Sequence, residues 1–221
     1  MNLVARGLGF VRLSPMEFQV IVAGRPRRVG LFFGNEGDAA MISRWRAPVE
    51  VGEKPAVRDS LEFARLAAKR WRYYRRSIPT ATNLQGFRAA IAQNSRAEVS
   101  FVLLAKADWF QSRSALGLAQ CRRTYCNNLI LEFLAVHPRV VGKVAPIIEG
   151  VGSGLLFSLA EMAGALGMRL IWGEATFYSA PFYAKIIGVD QIEDHFFIRD
   201  EPMERCRRKF REVFHGKLAE T

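Results

Sequence analysis

The sequence predicts an α/β protein of the α+β kind: one mixed sheet covered by helices on both faces, with an added segment at its N-terminus. Three observations point there. Helical periodicity fills residues 59–93, strand-like apolar runs follow as far as residue 136, and helix and strand then alternate to the end. Half of the 221 residues are hydrophobic, enough for a sizeable core. A glycine-rich turn, residues 150–154, separates a strand from an apolar helix. No repeat, low-complexity stretch or clean linker divides the chain. Residues 1–58 therefore read as an N-terminal hairpin elaboration and connection, and residues 59–221 as the main domain of one compact unit.

Two apolar runs, residues 18–23 and 29–33, flank the turn-rich basic stretch Gly24-Arg25-Pro26-Arg27-Arg28, the pattern of a hairpin. Residues 34–38 then break the chain, and residues 47–58 read as a connection. Asp59 or Ser60 is placed to cap a helix running to about Arg76, because Phe63, Leu66, Ala67, Trp71 and Tyr74 recur at the spacing of one helix face. Its other positions are largely basic. A second helix is expected over Leu84–Gln93, behind Asn83. Residues 99–105, 116–121 and Leu129–Val136 read as strands, with Asn127-Asn128 as a turn. From residue 153 to 166 the period is helical again, on Leu155, Leu159, Met162 and Leu166, and Gly167 marks the stop. Residues 169–175 read as a strand. Residues 179–187 read as a short helix with Pro181 early in it and Gly188 at its end. A last strand over residues 196–199 and a basic tail helix over residues 203–218 complete the order.

Composition removes several classes. The apolar runs are far shorter than a bilayer span, so no membrane partner is expected. Residues 1–10 lack a long apolar core, which argues against a secretory leader. Three cysteines, Cys121, Cys126 and Cys206, are too few and too scattered for a disulfide framework or a four-ligand zinc site, and fit a reducing cytoplasm. No metal is expected. The formal net charge is +11, and residues 61–125 hold twelve Lys/Arg against Glu62, Glu98 and Asp108. A field of that sign attracts phosphates, whether of CoA, nucleic acid or an acidic protein.

The chemistry concentrates where the strand Leu129–Val136 and His137-Pro138 lead on to Glu149-Gly150-Val151-Gly152-Ser153-Gly154. Glycines let backbone approach a ligand closely. The helix they open adds unpaired N–H donors and the positive end of its dipole, a ready site for a pyrophosphate. Packing alone also accounts for glycines at a helix start. The dinucleotide fingerprint fails, because Leu155 stands where its third glycine belongs, and no Gly-Lys-Ser/Thr of a phosphate loop follows.

The run from Leu131 to Gly188 resembles the GCN5-related N-acetyltransferase (GNAT) superfamily. The resemblance rests on Leu134-Ala135-Val136-His137-Pro138, on Gly150-Val151-Gly152-Ser153-Gly154, on the strand at residues 169–175, and on Ala180-Pro181-Phe182-Tyr183 running to Gly188. Ile147 stands where the family has Gln or Arg, and the stretch from Pro138 to Gly150 is longer than the family's, which marks an insertion. The resemblance implies a GNAT-like fold and an enzyme, an acyltransferase using acetyl-CoA or another acyl-CoA as co-substrate. It implies that main chain at Leu134, Ala135 and Val136 pairs with the pantetheine arm, and that amides of the Gly150, Val151, Gly152, Ser153, Gly154 turn hold the pyrophosphate. It further implies that the strands around Val136 and Ile171 splay apart, that Tyr183 protonates the leaving thiolate, and that Glu132 is placed to serve as base.

Each role has a simpler counterpart. Glu132 can be a strand carboxylate satisfied by Arg122, Arg123 or solvent. His137 and His195 read as surface or capping residues. The acceptor amine, whether a small molecule, a protein or an aminoacyl-tRNA, is not legible, and a homodimer is open. A second reading is a nucleic-acid-binding protein on the same fold, using the basic helix with Trp71, Tyr73 and Tyr74. A third is an acyl-CoA sensor without turnover.

Overall fold

The structure, a computed structural model, describes residues 17–111 and 114–215. The expectation for residues 1–10, and the part of the tail helix beyond residue 215, lie outside the described residues.

The expected hairpin consists of β1 (Glu17–Val22) and β2 (Arg25–Phe33). Its turn is tighter than the sequence implies. Ala23 and Gly24 take φ of 48° and 79°, the left-handed pair whose twist matches that of the flanking strands. Arg25 to Arg28 therefore continue β2 and pair with β1. Pro26 is tolerated because β3 (Val99–Lys106) meets β2 only from Gly30 onward, which leaves Pro26 on an open edge.

The expected break at residues 34–38 instead starts a helix, α1 (Glu36–Ile42). The Asn35 side chain accepts from the Asp38 N–H, and the Asp38 carboxylate accepts from the Asn35 N–H, a reciprocal cap. A short 3-10 turn (Val49–Val51) leads into α2 (Pro55–Tyr74). This helix begins ahead of the expected cap, because Pro55 occupies its first position, where a missing N–H costs least. Asp59 and Ser60 thus lie inside the helix. α3 (Leu84–Gln93) follows its Asn83 cap as expected.

β3, β4 (Gly117–Arg123) and β5 (Leu129–Val136) form an antiparallel meander. The insertion before the glycine turn holds α4 (Pro138–Val141) and a two-residue strand, β6 (Ile148–Glu149), which joins β1. Then come α5 (Val151–Ala165), β7 (Leu170–Glu174), α6 (Ala180–Ile187), β8 (His195–Arg199) and α7 (Asp200–His215). The strands form one mixed sheet in the order β6-β1-β2-β3-β4-β5-β7-β8.

β3 lies at the centre and is buried on both faces. Alternation along it divides the core. Phe101 and Leu103 pack with Phe87 of α3, Leu155 and Leu159 of α5, and Met203 of α7. Val102 and Leu104 pack with Ala64, Ala67, Ala68 and Trp71 of α2. Trp71 and Tyr74 are buried there, whereas Tyr73 is 63% exposed. No helix among the described residues is long and apolar enough to cross a membrane.

Two irregularities in β5 shape the site. Gln120 pairs with Phe133 and Cys121 with Leu131, so Glu132 is the extra residue of a β-bulge. The bulge resets the alternation: Leu129 and Leu131 before it, and Leu134 and Val136 after it, all belong to the α5 side. Beyond the bulge Phe133 and Ala135 face α2. The second irregularity is the parallel pair β5–β7, which holds for only two steps, Leu129↔Ile171 and Ile130↔Trp172, before the strands part.

Gly173 marks the parting point. A Cβ there would stand 2.4 Å from the Leu131 carbonyl oxygen and 2.9 Å from the Phe196 ring. Backbone cannot yield as a side-chain tip can. Gly173→Ala is expected to destabilise the protein by about 1–3 kcal/mol, read as a lower urea midpoint with an unchanged slope. A midpoint equal to that of the parent would show that the strands part without needing this close approach.

Candidate active site

Where β5 runs on past its parting from β7, a cleft of about 220 Å³ lies against its end. Leu134, Ala135 and Val136 at the end of β5 line it, together with Gly152 from the first turn of α5. α2 supplies Asp59, Ser60 and Phe63, and the segment entering α6 supplies Tyr178, Ser179, Phe182 and Tyr183. The fold thus brings the expected strand, glycine turn and tyrosine to one place.

The glycine turn is more economical than the sequence implies. Gly150 takes φ of 93°, a conformation that favours glycine, and no side chain caps α5. The Gly154 N–H is already used, donating to the Gly150 carbonyl at 2.8 Å. The free donors are therefore the N–H groups of Val151, Gly152 and Ser153, the open positions of any helix start. Gly154 is needed for packing, since a Cβ there would stand 2.2 Å from the Phe18 ring. A Cβ on Gly152 would meet only Phe182 at 3.5 Å and Val136 at 3.6 Å, so this glycine keeps the cleft open without being sterically required.

Tyr183 is 5% exposed and stacks on Phe196 with ring centroids 3.9 Å apart. Burial, with a smaller contribution from Cys121, pushes its pKa well above the usual phenol value. The hydroxyl keeps its proton at neutral pH and forms no hydrogen bond among the described residues. A ligand in the cleft would find a donor with no competing partner.

Glu132 is placed elsewhere. It is not among the residues lining the cleft, and its side chain turns toward α2. Its Oε1 accepts from the Tyr74 hydroxyl and from Arg122 Nε at 3.2 Å, and Arg70 Nε stands 3.8 Å from Oε2. These contacts with a tyrosine donor and two guanidiniums tie α2 to β5. The physical reason is the bulge, which turns Glu132 to the helix face and leaves the cleft edge to main chain. Burial and the neighbouring Glu132 in turn raise the Tyr74 pKa.

The histidines have structural settings. His137 caps α4, its Nδ1 accepting from the Arg139 N–H at 3.3 Å, and it lies between the rings of Trp45 and Phe110. Burial, and then the charge of Arg139, pull its pKa down to about 4 from 6.5. The unfolded chain therefore binds this proton more readily than the folded one. Stability from this site is complete above about pH 6.5 and falls as pH drops toward 4. The expected loss is of the order of 3 kcal/mol, and His137→Asn, which keeps a capping side chain, should flatten that part of the profile. An unchanged profile in the variant would assign the acid sensitivity to other groups. His195 is exposed at the end of β8, 3.9 Å from the exposed Glu174.

Asp59 was not legible as a site residue, because its position before an apolar period reads as a helix cap. A larger groove, about 1320 Å³, lies between the β1–β2 hairpin, α1 and the end of β3. Its charges are mixed: Arg27, Arg28, Arg44 and Lys106 stand among Glu17, Asp38 and Asp108, with Lys106 2.6 Å from Asp38. It has neither the parted strands nor the uncapped helix of the cleft.

No family model matches the chain, and no curated protein matches it in sequence. Similar solved structures include a protein assigned as a GNAT-family acetyltransferase from Desulfovibrio desulfuricans, 14% identical, with a TM-score of 0.46 over 77% of this chain and 98% of that one. Another is assigned as a streptothricin acetyltransferase from Bacillus anthracis, in complex with acetyl coenzyme A. It is 14% identical, with a TM-score of 0.34 over 46% of this chain and 63% of that one. Overlaps this low transfer neither an activity nor a site to this chain, whose own cleft must carry any assignment.

Proposed function

We propose that the cleft binds an acyl-CoA and transfers its acyl group to an amine. One observation carries this reading: β5 and β7 part after two paired steps, beside the uncapped N-terminus of α5. Parted parallel strands leave main-chain groups on β5 without a ladder partner, and an amide-bearing pantetheine arm supplies the missing strand. The Val151, Gly152 and Ser153 amides take the pyrophosphate, helped by the helix dipole. Leu134, Ala135 and Val136 flank the arm, although the Val136 carbonyl already accepts from the Ser60 hydroxyl.

In the reaction the neutral amine attacks the thioester carbonyl, forming a C–N bond. A main-chain N–H near Val136 stabilises the oxyanion. The C–S bond then breaks, and Tyr183 gives its proton to the thiolate while the amine proton passes to solvent or a nearby carboxylate. Glu132 acts in this scheme by position, holding α2 against the strand. The acyl group is left open between acetyl and longer chains.

Titration of the protein with acetyl-CoA and with longer acyl-CoAs tests the reading. Saturable binding is expected for at least one of them, together with release of free thiol when a primary amine is added. Failure to bind any acyl-CoA would sink it.

A further inference from the structure

The wall of the cleft built by α2 and the entry to α6 has a chemistry of its own. Asp59 is the one carboxylate among the lining residues, and no lysine, arginine or histidine joins it, in a chain of net charge +11. Rings stand around it: Phe63, Tyr178, Phe182 and Tyr183 all line the same cleft. Its Oδ2 accepts from the Thr176 hydroxyl at 3.3 Å, and Oδ1 has no partner among the described residues. Helix α2 is otherwise studded with arginines, so a cleft without cations is not what the composition alone would produce. A carboxylate with a free oxygen, among aromatic faces and away from competing guanidiniums, is the recognition chemistry of an organic cation.

The segment between β7 and α6, beside the cleft, adds a second feature. Phe177 is 87% exposed and Tyr178 is 55% exposed, with ring centroids 5.4 Å apart. Tyr178 lines the cleft with Asp59, whereas Phe177, next in the chain to Thr176, whose hydroxyl donates to Asp59, lines the adjoining pocket with Ala180 and Pro181. Two exposed rings beside a cation site favour a ligand with an apolar or aromatic body attached to its charged end.

We infer that Asp59 and the Tyr178 ring form an ammonium site that receives the amine of the acceptor, with the acceptor's apolar or aromatic body lying against Phe177. This deepens the acyltransferase reading and rests on it for the word acceptor. The binding itself does not require acyl-CoA. The ammonium docks on Asp59, and its proton leaves to solvent before attack.

The test uses 2-phenylethylamine as the probe and 2-phenylethanol as its uncharged counterpart, each titrated calorimetrically into the full chain with and without acetyl-CoA. The amine is expected to saturate and to bind about tenfold or more tightly than the alcohol, a difference of charge-assisted hydrogen bonding. Asp59→Asn keeps an oxygen for Thr176 but loses the charge, and should remove most of that preference. Tyr178→Ala, at a half-exposed ring that contributes little to the core, should weaken amine binding severalfold. Equal affinity for amine and alcohol overturns the inference, as does an undiminished preference in Asp59→Asn. Amine binding that persists while no acyl-CoA binds would overturn the acyltransferase reading and leave the ammonium site standing.

Discussion

Truncation of Trp71 to alanine is expected to cost about 3–5 kcal/mol of folding stability. Trp71 is 1% exposed and fills the space between α2 and the sheet, against Val102, Leu104 and Leu118 among others. Loss of the ring leaves a cavity that small alanines on the same helix face, Ala64, Ala67 and Ala68, cannot close. The effect should reach the cleft, because α2 also presents Asp59, Ser60 and Phe63. Trp71→Phe is the informative partner. The indole N–H is buried without a hydrogen-bond partner among the described residues, so phenylalanine removes an unsatisfied donor along with some volume. Urea unfolding of the two variants should show a large loss for alanine and a much smaller one for phenylalanine. Similar losses in both would mean that the indole nitrogen is satisfied in solution.

Tyr183→Phe should lower the rate of acyl transfer to a primary amine by about a hundredfold or more, the contribution of a positioned general acid. Acyl-CoA affinity should change little, since the ring and its stacking on Phe196 remain. Thermal stability should change little, because the hydroxyl makes no hydrogen bond among the described residues and the ring keeps its packing on Phe196. This combination separates chemistry from structure. A fall in affinity equal to the fall in rate would make Tyr183 a binding group, and no change in either would show that acyl transfer proceeds without Tyr183 as its acid.

Much of the frame is legible in local pattern. The strands β3, β4 and β5 announce themselves as apolar runs bounded by turn residues, and α5 by its 3.6-residue period, because burying each of these depends mainly on its own side chains. The glycine turn and Tyr183 are legible for a different reason: their order along the chain resembles a known arrangement, and the fold brings both to the parted strands.

The misses share a cause. α1 hides behind Gly37 and is visible only through the reciprocal bonds of Asn35 and Asp38. The start of α2 depends on Pro55, and a shift of one turn converts Asp59 and Ser60 from caps into cleft residues. α4 and β6 are too short to show a period, and β6 exists because β1 offers it an open edge.

By itself the sequence determined the mixed α/β class, the order of the long elements and the glycine turn, since these follow from periodicity and backbone preference over neighbouring residues. Tertiary structure alone decided where individual side chains are placed. At the bulge Glu132 meets Tyr74 and Arg122 on the α2 side, and β5 and β7 part just beyond the close approach of Gly173 to Leu131. Asp59, set into an aromatic wall by a helix more than a hundred residues from Thr176, carries no local signal at all. Contacts between distant segments are selected by packing, which periodicity within a segment does not encode.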